Sequence, residues 1–109
     1  MIVDCPKVKR DGKVAVLISP GYGAGWYSWN TKYPQCLFDP DIVALVEADK
    51  RDLITDEYCQ KKYNCNYFYA GGARDLQIVW IEEGMAFQIK EYDGFESINY
   101  CSNDDWICA

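Results

Sequence analysis

Three carboxylates, Glu91, Asp93 and Glu96, sit close together around an Asp-Gly pair. Acids at this spacing could pass protons to a substrate or hold a hard cation. They are also ordinary turn and strand-edge residues, and Asp93 has a structural task in the turn itself. Upstream lies a second candidate, Ser19-Pro20-Gly21-Tyr22-Gly23-Ala24-Gly25-Trp26-Tyr27-Ser28-Trp29-Asn30. Glycines at alternate positions let a backbone turn sharply and approach a partner closely. Successive N–H groups there could form an anion nest, and the aromatics that follow could stack on a flat ligand or anchor a protein partner. The same aromatics could instead be core.

The spacing matches neither the dinucleotide fingerprint G-x-G-x-x-G nor the phosphate loop with its Lys-Ser/Thr. Arg74, just after Gly71-Gly72-Ala73, could pair bidentately with a phosphate or carboxylate, or with one of the chain's own acids. The chain contains no histidine, so nucleophilic catalysis lacks its usual base, and there is no nucleophile elbow. We therefore expect no catalytic residue and no enzyme. The candidate contact residues for a ligand or partner are Tyr22, Gly23, Gly25, Trp26, Trp29 and Arg74.

Six cysteines are present, Cys5, Cys36, Cys59, Cys65, Cys101 and Cys108. No C-x-x-C occurs, and the close pairs are spaced more widely than usual zinc ligands. The even count allows disulfides. The N-terminus lacks the apolar stretch of a secretory signal, which favours a reducing compartment and free thiols. No metal and no cofactor are expected.

These residues must be positioned by a small domain. The chain has 109 residues, half of them hydrophobic and 16% aromatic, which suits one globular unit over residues 1–109 and argues against disorder. With 17 acidic against 11 basic residues the formal charge is −6. There is no basic patch to neutralise phosphates, so direct nucleic-acid binding is not expected. No apolar run is long enough for a membrane span.

Residues 13–19 read as a strand covered on both faces, because the run Val14–Ile18 is almost wholly apolar. The glycine–aromatic loop follows. Asp39 and Pro40 signal a helix start, and Ile42, Leu45 and Val46 recur at helical spacing to about residue 50. A weaker helical pattern covers 52–62. Tyr67-Phe68-Tyr69 reads as a short strand or a packed loop, and Gly71-Gly72 breaks the chain. Leu76–Ile81, Met85–Lys90 and Phe95–Tyr100 read as strands, with Asp93-Gly94 as a hairpin turn. Asn103-Asp104-Asp105 ends the regular structure, and Trp106 and Ile107 are placed to tuck back. The order predicts an α+β fold, with a mainly antiparallel sheet of about four strands, one or two helices packed on one face, and a C-terminal β-meander.

Two blocks carry a resemblance. They are Ile18–Asn30 with Cys36-Leu37-Phe38-Asp39-Pro40, and Gly71-Gly72-Ala73 to Ser97-Ile98. The second includes Glu83-Gly84, Phe87 and Glu91-Tyr92-Asp93-Gly94-Phe95-Glu96-Ser97. Together they span roughly half the chain and resemble small proteins encoded in bacteriophage genomes. The resemblance implies a viral protein in a bacterial cytoplasm and transfers no catalytic residue. In that setting a small acidic protein without catalytic motifs is expected to act stoichiometrically. It could inhibit a host protein such as a nuclease or defence effector, its acids covering a basic groove. It could sequester a nucleotide-like signal through the loop, or serve as a structural or homo-oligomeric accessory. A nucleotide site would need Arg74 and Lys32 near the loop.

Overall fold

The computed structural model describes residues 3–100 and 106–109. The fold is α+β, as the element order predicts. The described residues form two helices and two three-stranded antiparallel sheets. The first sheet has the order β1 (Lys9–Arg10), β2 (Lys13–Ile18), β3 (Gln77–Glu82). The second has β4 (Ala86–Tyr92) in the middle, between β5 (Phe95–Tyr100) and β6 (Ile107–Cys108).

β2 explains the apolar run that marks it. Ala15 and Leu17 face one core, shared with Trp26, Ile42, Val43, Cys59, Phe68 and Leu76. Val14, Val16 and Ile18 face a second core between the two sheets, with Leu37, Phe38, Ile81, Phe87 and Ile107. A strand buried on both sides has no room for polar alternation.

α1 (Pro40–Glu47) starts where its signals place it. Asp39 Oδ1 accepts from Asp41 N at 3.0 Å and Ile42 N at 3.4 Å, and Pro40 occupies the first turn. The 52–62 pattern divides. Arg51–Leu53 is a single 3₁₀ turn, and α2 (Asp56–Lys62) begins only after Thr55, whose hydroxyl accepts from Tyr58 N at 3.1 Å. Tyr67–Tyr69 is loop. The Asp93-Gly94 hairpin forms, with Tyr92 opposite Phe95 and both turn residues at positive φ (50° and 84°).

The predicted three-strand meander is divided between the sheets. β3 pairs with β2 in the register Val14↔Ile81 and Ile18↔Gln77, not with β4. Between β3 and β4 the chain passes from one layer to the other. Met85 N donates to Glu82 O, and Gly84 N donates to Ala109 O. β6 then takes the side of β4 that a meander would have given to β3, with Phe87 opposite Ile107. Trp106 and Ile107 thus return to the body as expected, whereas Asn103-Asp104-Asp105 lies outside the described residues. Among the described residues no helix is long and apolar enough to cross a membrane.

Candidate functional site

The glycine–aromatic loop does hold an anion, and that anion belongs to the protein. Glu96 is fully buried on β5. Its Oε1 accepts from Ser19 N at 2.8 Å. Its Oε2 accepts from Trp26 N and Ser28 N, both at 2.9 Å, and from Ser28 Oγ at 2.6 Å. The Glu96 backbone N–H donates in turn to Ser19 O at 2.8 Å. A buried carboxylate is tolerable only when its lone pairs are filled, and here charge-assisted bonds fill them.

Glu96 reaches this place by strand parity. On β5, residues 96 and 98 point inward while 95 and 97 point the other way. Ile98 accordingly packs in the inter-sheet core. Glu91, opposite Glu96 in the hairpin, is exposed and accepts from Trp29 Nε1 at 3.1 Å. Asp93 sits in the turn, and its carbonyl accepts from Gly23 N at 2.7 Å. The three acids that cluster in sequence therefore do three different things. Among the described residues, no group of three or more Cys, Asp or Glu is placed to hold a metal ion.

The glycines are explained by crowding. A Cβ on Gly94 would run into the backbone of Ala24, and one on Gly72 would lie 2.6 Å from Gly25 O. The loop is thus wedged between the hairpin turn and the 3₁₀ segment Gly71–Asp75. Gly25 is crowded by side chains instead, a Cβ there lying 2.5 Å from Ser28 Oγ, whereas Gly23 needs its positive φ of 101°. Ser19 Oγ lies 3.2 Å from Ala24 O and 3.0 Å from Gly72 O. Asn30 Nδ2 donates to Trp26 O at 2.7 Å and Tyr69 O at 2.9 Å, and Asn30 Oδ1 accepts from Tyr69 N at 3.0 Å.

The aromatics separate into two kinds. Trp26 has 0% exposure, donates through Nε1 to Cys36 O at 2.9 Å and meets Phe68 edge-on at 5.2 Å. This corrects its assignment as a contact residue: a side chain closed inside the first core offers nothing to a partner. Trp29 is 40% exposed and lies 5.4 Å from Tyr69. Tyr22 is 66% exposed and rests on Phe95 at 5.0 Å, and Tyr92 on the hairpin is 77% exposed. Trp29, Tyr22 and Tyr92 stand around the tip of the β4–β5 hairpin together with the exposed acids Glu91 and Asp93.

Arg74 is exposed and 3.7 Å from its neighbour Asp75. It borders a recess of about 220 Å³ with Gly21, Arg51 and Asp75. Arg51 is committed there, donating through Nε to Leu76 O at 2.8 Å and pairing with Asp49. The recess is smaller than ordinary ligand pockets, at about 300–1,000 Å³.

The five described cysteines are free thiols, and Cys101 lies outside the described residues. Burial pushes the Cys36 thiol well up, with Glu96 nearby adding to the effect. Burial, then Asp39, pushes Cys59 up to about 12. Asp39 also accepts from Tyr63 OH at 2.8 Å, and burial with this carboxylate raises the phenol strongly. Raised thiols are poor nucleophiles at neutral pH.

The residues that sequence reading missed are Ser19, Ser28 and Asn30, which tie the loop down, and the inward role of Glu96. The inward parity of Glu96 on an alternating strand was the one available signal. The chain matches no family profile, no curated protein and no solved structure.

Proposed function

We propose that this is a small acidic binding protein that docks stoichiometrically on a basic surface of another protein, using the exposed aromatics around the hairpin tip. The observation that carries the reading is the exposure of Tyr22, Trp29 and Tyr92 around one hairpin tip, with Tyr22 resting on Phe95 and Trp29 held by the exposed Glu91. Exposed tyrosine and tryptophan give large contact area at low entropic cost and are the usual anchors of interfaces. The surrounding acids, on a chain of net charge −6, suit a partner rich in lysine and arginine. With the resemblance to bacteriophage proteins, the favoured setting is a bacterial cytoplasm and the favoured partner a host protein, such as a nuclease or defence effector, that binding would block.

Sequestration of a nucleotide-like ligand is the weaker reading. The N–H groups of Ser19, Trp26 and Ser28 that would cradle a phosphate are already bonded to Glu96. An incoming phosphate would have to displace that carboxylate and would be repelled by it.

The test is affinity capture from bacterial lysate with the wild-type chain and a Tyr22→Ala/Trp29→Ala variant, followed by native mass spectrometry. Expected is a stoichiometric complex with a basic protein, weakened by raised salt and lost in a variant that keeps its circular dichroism and a cooperative unfolding transition, destabilised by no more than the small loss expected for Trp29→Ala. A retained small molecule without a protein, or capture unaffected by the variant, overturns the reading.

A further inference from the structure

The glycine loop straddles the β4–β5 turn. Directly opposite residues of an antiparallel pair share a face of the sheet. Glu91 therefore lies on the face of its partner Glu96, and Tyr92 on the face of Phe95. Tyr22 rests on Phe95, on one side of the hairpin. Trp29 donates to Glu91, on the other. The exposed aromatics thus belong to two separate surfaces, and the surface of Trp29 has the more defined chemistry.

Trp29 is held on three sides and open on the rest. Its Nε1 donates to Glu91 Oε2 at 3.1 Å. The Tyr69 ring stands 5.4 Å away, tilted by 34°. Gly25 backs the Cδ1 edge so closely that a Cβ there would lie 2.9 Å from it. Tyr69 is itself fixed, because Asn30 bonds both its N–H and its carbonyl. Both rings keep more than a third of their surface exposed. The platform is therefore built before any partner arrives, which lowers the entropy lost on binding.

The charge around this platform is negative and unneutralised. The same Cβ on Gly25 would lie 3.2 Å from Glu96 Oε2, so the buried carboxylate stands just behind the indole. Glu96 is satisfied by neutral donors alone, three backbone N–H groups and the Ser28 hydroxyl. Glu91 takes a neutral indole N–H. Among the described residues no lysine or arginine pairs with either acid. A buried charge is weakly screened by salt, so an approaching cation meets the field of both carboxylates.

We propose that Trp29, Tyr69 and Glu91 form a seat for an arginine side chain of the protein partner. The inference rests on the docking reading above and names the group that the partner supplies. Three properties define the occupant. It is cationic, to answer two carboxylates. It is flat, to lie on an exposed ring. It carries donors at its rim, for the acceptor sites that Glu91 keeps after taking the indole N–H. A guanidinium has all three, and it sheds water easily enough to stack on an aromatic. A lysine ammonium has the charge, but it is a strongly hydrated point with no flat face. A nucleotide base is flat, but its phosphate would be repelled by both acids.

The experiment is NMR titration of the isotope-labelled full chain at low salt with capped Gly-Arg-Gly and Gly-Lys-Gly peptides and with free arginine. Expected are saturable shifts centred on the Trp29 indole N–H and on Tyr69, with the arginine peptide binding about threefold or more tightly than the lysine peptide. Free arginine, whose own carboxylate the acids repel, is expected to bind more weakly than the arginine peptide. Glu91→Gln should weaken the arginine peptide by about three- to fivefold. Asp52→Asn, which removes an exposed acid elsewhere, should leave it unchanged. The proposal is overturned by shifts centred away from Trp29 and Tyr69, by no saturable shift, or by equal binding of the lysine peptide. It is equally overturned by affinity that survives Glu91→Gln, or by free arginine binding more tightly than the peptide. An arginine peptide that fails, while Tyr22→Ala/Trp29→Ala still abolishes capture of a basic protein, removes the seat and leaves the docking reading standing. Arginine seated at Trp29 with no protein captured does the reverse.

Discussion

Ser19 and Glu96 hold each other from both ends: the Glu96 carboxylate accepts from the Ser19 N–H, and the Glu96 N–H donates to the Ser19 carbonyl, each at 2.8 Å. The pair joins the end of β2 to the start of β5 and so ties one sheet to the other. From this anchor the same carboxylate reaches Trp26 and Ser28 and gives the loop its shape.

Replacing Glu96 by Gln keeps the volume but turns one acceptor into a donor facing N–H groups. Glu96→Gln is expected to cost about 2–4 kcal/mol, as buried donors lose their partner. Glu91→Gln, on the exposed opposite strand, is expected to stay within about 0.5 kcal/mol of wild type. Urea unfolding of both variants measures the contrast. Equal stability of Glu96→Gln and wild type would mean that the carboxylate does not organise the loop.

Gly84 and Gly94 have nearly the same backbone, φ 87° and 84°, but different surroundings. Space is open around Gly84, whereas the Ala24 backbone stands against Gly94. Gly84→Ala should cost only the left-handed penalty of about 1–2 kcal/mol. Gly94→Ala should cost about 2 kcal/mol beyond that, because backbone must move. Melting temperatures of the pair give the difference, and matching values would contradict the wedged geometry.

Trp26 and Trp29 should part company when mutated singly. Trp26→Ala opens the first core and is expected to cost about 3–5 kcal/mol. Trp29→Ala should cost about 1 kcal/mol, the contact with Tyr69, and act instead on partner binding. Denaturation together with capture of the partner separates the two effects. A large stability loss at Trp29 would remove it from the contact surface.

Alkaline pH should destabilise the fold, because its buried thiols resist an ionisation that the unfolded chain allows. Cys59, pushed up to about 12 by burial and Asp39, stays protonated in the folded chain while the unfolded thiol ionises near its ordinary value of about 8.5. Stability is therefore full below about pH 8.5 and falls as pH rises toward 12, by about 1.4 kcal/mol per pH unit for such a thiol. Cys36 and, at higher pH, Tyr63 act in the same direction. Urea midpoints from pH 8 to 11 should decline, with a shallower slope in Cys59→Ala. A flat or rising profile would contradict the burial of these groups.

What could be read in the sequence is what neighbouring residues decide. The Asp39-Pro40 start of α1, the apolar run of β2 and the Asp93-Gly94 turn each rest on chemistry within a few positions. The partner of β3 could not be read, because strand pairing is settled by which cores Ile78 and Ile81 must face. Nor could the occupant of the glycine loop, since Glu96 lies 77 residues from Ser19. Trp26 and Trp29 look alike in sequence and differ only in which side of the loop is closed over by Phe68 and Cys36.

The distance between Ser19 and Glu96 also orders events during synthesis. At bacterial and eukaryotic elongation rates of about 5–20 residues per second, the loop waits about 4–15 s on the ribosome before residue 96 is added. Until then the N–H groups of Ser19, Trp26 and Ser28 lack the carboxylate that fills them, and no nascent chain that stops before Glu96 can complete the loop. Loop closure is therefore a late, non-local step, and the loop takes its final shape only once the chain has reached β5.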